Sequence, residues 1–337
     1  MFTIPHIPLY LSYVVNQLFN LNKQEDAMNP KMLVSEAAEL LDTTVQNIHN
    51  KIKEKNLPSS KEHNRVYFTH TTSKEIFKRS FKPTIYSFQL VKGGVGKTVI
   101  STNFAVRASL LGARVLLIEL DQQANITRTL GVDASELPVM IDVINENLKF
   151  EDAIVNVFDG FDLLPSRVDN ALLDNSLLIG RKALDRVFSK PLEELKKKYD
   201  VIVIDCPPSI GSSVTAAALA SDVVVMPINP SDYSIAGLDI TFNEIQGMFK
   251  QYEKNAELKI VFNKYDSRTN LSFNTMSEII KHPIYSDHLI QSYIRSLQSI
   301  ENTVSEGQSV YDSFKKTPEK EDFSSLTNDL LREYENA

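Results

Sequence analysis

Apolar and polar positions along this chain follow two different rhythms. Over residues 8–24, Leu11, Val14, Val15, Leu18 and Phe19 recur at helical spacing with Asn16, Gln17, Asn20 and Asn22 between them, which predicts one amphipathic helix. The chain then turns polar through residue 30, so this helix needs an outside surface, and its copy in a second subunit would supply one. Its polar face carries almost no Lys or Arg, which argues against a lipid surface. Residues 32–77 hold a tighter pattern. Ser35 is placed to cap a helix bearing Ala37, Ala38, Leu40 and Leu41, Asp42 to Thr44 make a turn, and a second helix over 45–55 directs Ile48 and Ile52 inward. Pro58, Ser59 and Ser60 break the chain, and 65–69 reads as a short strand. Two short helices, a tight turn and a strand predict a helix-turn-helix with a β-wing.

From residue 84 the rhythm changes. Short β-branched runs over 85–90, 115–120, 161–164, 201–204, 223–226 and 258–262 alternate with helical stretches, notably 98–111 and 184–198. Runs without internal polar alternation are strands covered on both faces, so the fold class is α/β, with a mostly parallel sheet flanked by helices. Residues 79–83 read as a linker. Three regions follow: 1–28 as a helix with a dimerisation role, 29–80 as a winged helix-turn-helix, and 81–337 as the α/β domain.

Composition refines this picture at three points. The 337 residues, 42% of them hydrophobic, can fill one large or two modest cores, and no apolar run reaches the length of a membrane span. The first residues lack a basic segment and a small-residue cleavage site, so no signal peptide is expected, and a single cysteine, Cys206, excludes an intramolecular disulfide framework; a cytoplasmic location is expected. Net charge is −7, yet residues 44–82 hold nine Lys/Arg against three Asp/Glu. That local excess points to a polyanionic partner, with a solvated charged face as the plainer alternative. In a helix-turn-helix the second helix enters the major groove, where Thr44, Gln46, Asn47, Asn50 and Lys51 would meet base edges or phosphates.

The chemistry concentrates at Leu90-Val91-Lys92-Gly93-Gly94-Val95-Gly96-Lys97-Thr98, a glycine-rich turn between a strand and a helix. Glycines let backbone N–H groups converge on an anion at the positive end of a helix, so Gly93, Gly94, Val95 and Gly96 read as a phosphate cradle continuing into Val99. Lys97 then reaches the outer phosphates and Thr98 ligates Mg²⁺. The fit to the usual P-loop is imperfect, because Val91 replaces its first glycine and a second lysine, Lys92, follows. After the next strand, Glu119 and Asp121 are expected to point the same way and to orient water near the ion. The run 201–205 ends in Asp205, a Walker B pattern that places a second Mg²⁺ ligand, and Cys206 beside it reads as a buried small residue.

These motifs resemble the deviant Walker A, Walker A′ and Walker B motifs of the ParA/MinD/Soj ATPases over residues 84–335, and the N-terminal region is similar to the winged helix-turn-helix of MerR-like and excisionase-like proteins. Together they resemble the longer plasmid-type ParA partition proteins. The resemblance implies a P-loop NTPase that binds ATP and Mg²⁺, with Lys92 as the signature lysine reaching across an ATP-sandwich homodimer, Lys97 and Asp121 serving hydrolysis, Asn263 contacting adenine, and Arg268 and Arg295 contacting DNA non-specifically. It also implies weak ATPase activity stimulated by DNA and a ParB-like centromere-binding protein, nucleoid association, and repression of its own operon. Glu119 stands where the family usually has aspartate, Gln122 where proline is common and Ala124 where glycine is common, which bears on the hydrolysis rate. A nucleotide-switched transcriptional repressor with incidental hydrolysis is the alternative. Membrane attachment in the manner of MinD would call for a basic amphipathic C-terminal helix, which residues 323–337 do not supply.

Overall fold

A computed structural model describes residues 28–231, 234–305 and 307–334. The helix expected over 8–24 lies outside them.

Met32–Leu33 (β1), Ser60–Glu62 (β2) and Arg65–Phe68 (β3) form an antiparallel sheet in the order β1-β3-β2. Helices Val34–Leu40 and Val45–Glu54 lie between β1 and β2, and His70–Phe77 follows β3. The first helix begins at Val34 without a side-chain cap. Ser35 is therefore inside its first turn, and the capping role expected of it is corrected. Thr44 caps the second helix instead, accepting the Asn47 N–H at 3.2 Å.

The main sheet has eight strands: Thr84–Phe88 (β4), Val115–Glu119 (β5), Val155–Phe158 (β6), Phe161–Leu164 (β7), Val201–Asp205 (β8), Val223–Ile228 (β9), Glu257–Tyr265 (β10) and Leu289–Arg295 (β11). Their order is β11-β10-β9-β4-β8-β5-β7-β6, parallel except at β6. Alternation divides the strands between two apolar layers. Tyr86, Phe88, Val115, Leu117, Val201 and Val203 face one layer; Ile85, Leu116, Ile118, Ile202 and Ile204 face the other. This is why the strands read as continuous apolar runs.

The expected helix over 184–198 divides into Leu184–Val187 and Ser189–Leu195. Pro191 accounts for the break: it lacks an N–H to donate to Val187, and its ring is tolerated only in the first turn of a helix. Residues 79–83 are also more than a tether. Phe81 is buried and bridges to Glu333, Arg79 pairs with Glu333, and the Lys82 N–H donates to the Arg332 carbonyl at 2.9 Å. One apolar cluster runs from Met32, Ala37, Ile48 and Phe68 to Phe104 of the helix Lys97–Leu110 and Phe323 of the helix Pro318–Leu330.

Candidate functional site

β4 lies between β8 and β9, and β5 flanks β8, so the C-terminal ends of β4, β8 and β5 meet at one edge. From β4 the chain turns into Lys97–Leu110 through Gly94 and Gly96, at φ +74° and +90°. These are left-handed conformations that glycine adopts without a Cβ penalty. Gly96 has a second constraint: a Cβ there would lie 2.2 Å from Nδ2 of Asn263. Asn263 is buried and donates to the Val95 carbonyl at 2.8 Å, bracing the turn from β10.

Lys97 folds its amine back onto the turn, donating to the carbonyls of Leu90 at 3.1 Å and Lys92 at 3.2 Å. Burial lowers its pKa, while Asp205 and Asp121 act in the opposite direction. Asp205, fully buried at the end of β8, accepts from the hydroxyls of Thr98 (2.9 Å) and Ser101 (2.8 Å). Burial raises its pKa to about 6 against those two hydrogen bonds. A hydroxyl and a carboxylate in contact beside a glycine turn are hard oxygen donors of the kind Mg²⁺ takes, so Thr98 and Asp205 fit that ion. Ser101 had no signal in the sequence beyond its place one helical turn after Thr98. Cys206 is buried as expected, and burial pushes its thiol well above the usual range. Lys92 is half-buried and bonds to the Ser231 hydroxyl.

Glu119 and Asp121 do not work as the expected pair. β5 ends at Glu119, so strand alternation does not extend to Asp121. Glu119 is fully buried and accepts the N–H groups of Ile126 and Thr127, each at 2.8 Å, and the Thr127 hydroxyl at 2.6 Å. Its two oxygens cap the short helix Asn125–Thr129 and do not orient water, which corrects the role expected of it. Burial lifts its pKa to about 7. Asp121 is half-buried, with Oδ1 accepting the Gln123 N–H at 3.0 Å. Ala124 sits at φ +51°, ψ 41°, a left-handed position.

A cavity of about 290 Å³ opens beside the turn, with Gly94, Gly96, Val99, Asn263, Arg295 and Ile300 on its walls. Arg295 is there because β11 pairs with β10. Its guanidinium forks onto Asp322, with Nη2–Oδ1 at 2.7 Å and Nε–Oδ2 at 2.9 Å. Arg268 is exposed and likewise forks onto Asp266, at 2.9 and 2.8 Å. Both arginines thus carry a local carboxylate partner. Gln46, Asn47 and Asn50 are exposed on Val45–Glu54 and Lys51 is half-buried; Gln46 donates to Asn50 at 2.9 Å, and Asn47 to Thr43 at 2.8 Å. A larger cavity of about 950 Å³ lies between the helix Val34–Leu40 and residues 314–324, away from this chemistry. Arg107 and Lys316 on its walls pair with Glu36 and Glu39.

Among known proteins, a family profile described as an AAA domain matches residues 84–260. The chain is 31% identical over 196 residues to the sporulation initiation inhibitor protein Soj of Bacillus subtilis, covering 57% of this chain and 76% of that protein. It is 30% identical over 250 residues to the virulence plasmid ParA family protein pGP5-D of Chlamydia psittaci, covering 72% and 93%. A solved structure of cobyrinic acid a,c-diamide synthase from Mycobacterium smegmatis, with bound ATP analog and magnesium, has a TM-score of 0.55 and 27% identity, covering 59% of this chain and 83% of that one.

Proposed function

The chain belongs to the ParA/MinD-type P-loop ATPases, and from that premise we propose that it is a DNA partition ATPase that cycles between a monomer and an ATP-bound homodimer. The observation that carries the ATPase reading is the convergence of Lys97, Thr98 and Asp205 at one sheet edge, with the Thr98–Asp205 contact at 2.9 Å. ATP is the substrate. The glycine turn presents N–H groups to its phosphates, Lys97 leaves the carbonyls of Leu90 and Lys92 to neutralise them, and the cavity lined by Asn263 receives the base. Thr98 and Asp205 would hold Mg²⁺, which spreads the charge of the transferring phosphoryl group. Asp121, on the loop that follows β5, is assigned to orienting the attacking water.

The diamide synthase shares this nucleotide engine, so the engine alone does not choose between partition and small-molecule chemistry. The N-terminal unit supports partition. Its two helices, tight turn and β2–β3 hairpin support a winged helix-turn-helix reading, and the Lys/Arg excess over 44–82 suits a phosphate backbone. We assign Gln46, Asn47, Asn50 and Lys51 to an operator, and Lys92 to the nucleotide of a second copy. A ParB-like protein bound at a centromere stimulates hydrolysis and releases the dimer from DNA. Among the described residues no helix is long and apolar enough to cross a membrane. The test is DNA binding with and without ATP across a salt series, alongside Lys97→Ala. ATP-dependent binding that Lys97→Ala abolishes is expected, and equal binding in both conditions overturns the reading.

The pairing of Arg268 with Asp266 and of Arg295 with Asp322 favours a second reading, a nucleotide-switched repressor acting through the winged unit with incidental hydrolysis. ATPase activity rising well above basal with DNA and a centromere-binding partner excludes it.

A further inference from the structure

Residues 120–124, which carry Asp121, join β5 to Asn125–Thr129 without regular structure, yet they are held by a buried polar chain. Thr127 Oγ1 accepts the Ser166 N–H at 2.9 Å, so its one proton goes to Glu119, at 2.6 Å. Ser166 Oγ accepts from the Asn170 amide at 2.9 Å, so its proton goes to the Asp121 carbonyl, at 2.7 Å. Asn170 in turn accepts the Ile141 N–H at 3.0 Å. Glu119, Thr127, Ser166 and Asn170 are all at most 5% exposed. Each hydroxyl has its acceptor and donor roles filled, which leaves this network one arrangement.

We propose that Glu119, Thr127 and Ser166 are positioning residues for hydrolysis, a latch that fixes the backbone at Asp121 and thereby aims its carboxylate. This rests on the ATPase reading above. Glu119 grips the Asn125–Thr129 end of the loop and Ser166 grips the Asp121 carbonyl itself, so Asp121 is held at its own backbone and the segment after it is held at its far end. The methylene by which Glu119 exceeds the family's aspartate adds about 1.5 Å of reach toward the Ile126 and Thr127 N–H groups. The departure that bears on hydrolysis is, on this view, part of the device that supports it.

The test uses the full chain in wild-type, Thr127→Val, Thr127→Ser and Ser166→Ala forms. It reads steady-state ATPase with DNA present, binding of a fluorescent ATP analogue, and amide hydrogen exchange of the nucleotide-free protein. Thr127→Val and Ser166→Ala should lower kcat by roughly tenfold to a hundredfold, the scale set by misplacing a reacting group by about 1 Å. Analogue affinity should stay within about twofold, since only an interaction used in the transition state is removed. Exchange should accelerate over 120–127 and not in β5 or β8, and Thr127→Ser should restore both readouts. Unchanged kcat and exchange in Thr127→Val overturn the latch. A joint fall of kcat and affinity with faster exchange across β5 and β8 also overturns it, because that is general loss of structure. A wild-type chain that hydrolyses no ATP refutes the ATPase reading and the hydrolytic role together; the exchange arm then decides separately whether the network holds the loop.

Discussion

Gly96→Ala tests the geometry of the phosphate turn, and its cost separates into two parts. The backbone at φ +90° carries a left-handed penalty of about 1–2 kcal/mol for any residue with a Cβ. The new methyl would also lie 2.2 Å from Asn263 Nδ2, so that amide must move and give up its 2.8 Å bond to the Val95 carbonyl. A buried carbonyl left without a donor costs about 1–3 kcal/mol. The lower entropy of the unfolded alanine chain returns about 0.5 kcal/mol. The expected destabilisation is therefore about 2–4 kcal/mol. In an Asn263→Ala background the second part is already spent and Gly96→Ala should cost only about 1 kcal/mol, a coupling of about 1–3 kcal/mol between the two sites. Urea unfolding followed by far-UV circular dichroism measures all four proteins; the chain has no tryptophan to report by fluorescence. Coupling below about 0.5 kcal/mol, the scatter of independent sites, would refute the contact. A neutral Gly96→Ala in the wild-type background would refute the left-handed turn itself.

Three further outcomes are expected. Lys92→Ala should leave ATP-analogue binding intact while abolishing the ATP-dependent dimer and DNA coating; light scattering that still shows a dimer would remove Lys92 from the interface. Ala124→Gly should raise stability by about 0.5–1 kcal/mol in urea titrations, since glycine meets φ +51° without the Cβ penalty and gives part of the gain back as unfolded-chain entropy. His70 should make stability pH-dependent. Burial lowers its pKa, with Asp159 and Asp200 opposing and Lys74 assisting, so the folded state binds fewer protons than the unfolded one. Stability is thus full above the unfolded value of about 6.5 and is lost as pH falls below it. Replacing His70 with Gln should flatten that slope in melting curves between pH 5 and 7.5, and an unchanged slope would count against the assignment.

Strands β4, β5, β7, β8 and β9 were legible in the sequence because each is covered on both faces, and a continuous apolar run that short is buried most simply as a central strand. β2, β6 and β11 were not. Ser60–Glu62 is polar, Val155–Phe158 lies at the sheet edge, and Leu289–Arg295 alternates buried and exposed positions. Without β11 nothing placed Arg295 beside the turn, or Asp322 beside Arg295. The glycine turn and Asp205 were legible because motif spacing encodes them locally. The work of Glu119 was hidden for the opposite reason: its partners Ile126 and Thr127 are near in sequence, but Ser166, which completes the chain back to Asp121, arrives only through the pairing of β5 with β7.

A division at residue 80 separates two proposed functions but not two cores. A segment of about fifty residues buries too little surface to be stable with ease, and this one adds its apolar face to that of the ATPase fold: Met32, Ile48 and Phe68 belong to the same cluster as Phe104 and Phe323. The polar contacts follow the same line. The helix that opens with Lys97 and Thr98 contributes Arg107, 2% exposed, whose Nη1 lies 2.5 Å from Glu36 on the first helix of the N-terminal unit and whose guanidinium stands 5.1 Å over the Tyr311 ring. On the far side of the unit Asp159, in the β6–β7 turn, accepts the Thr71 N–H and the hydroxyls of Thr69 and Thr71, each at 2.8 Å. A module on a flexible tether would have neither contact. The phosphate turn is therefore joined to the first helix of the N-terminal unit, Val34–Leu40, through the helix Lys97–Leu110, so displacing the first turn of that helix has to be absorbed either inside it or at the Arg107–Glu36 pair.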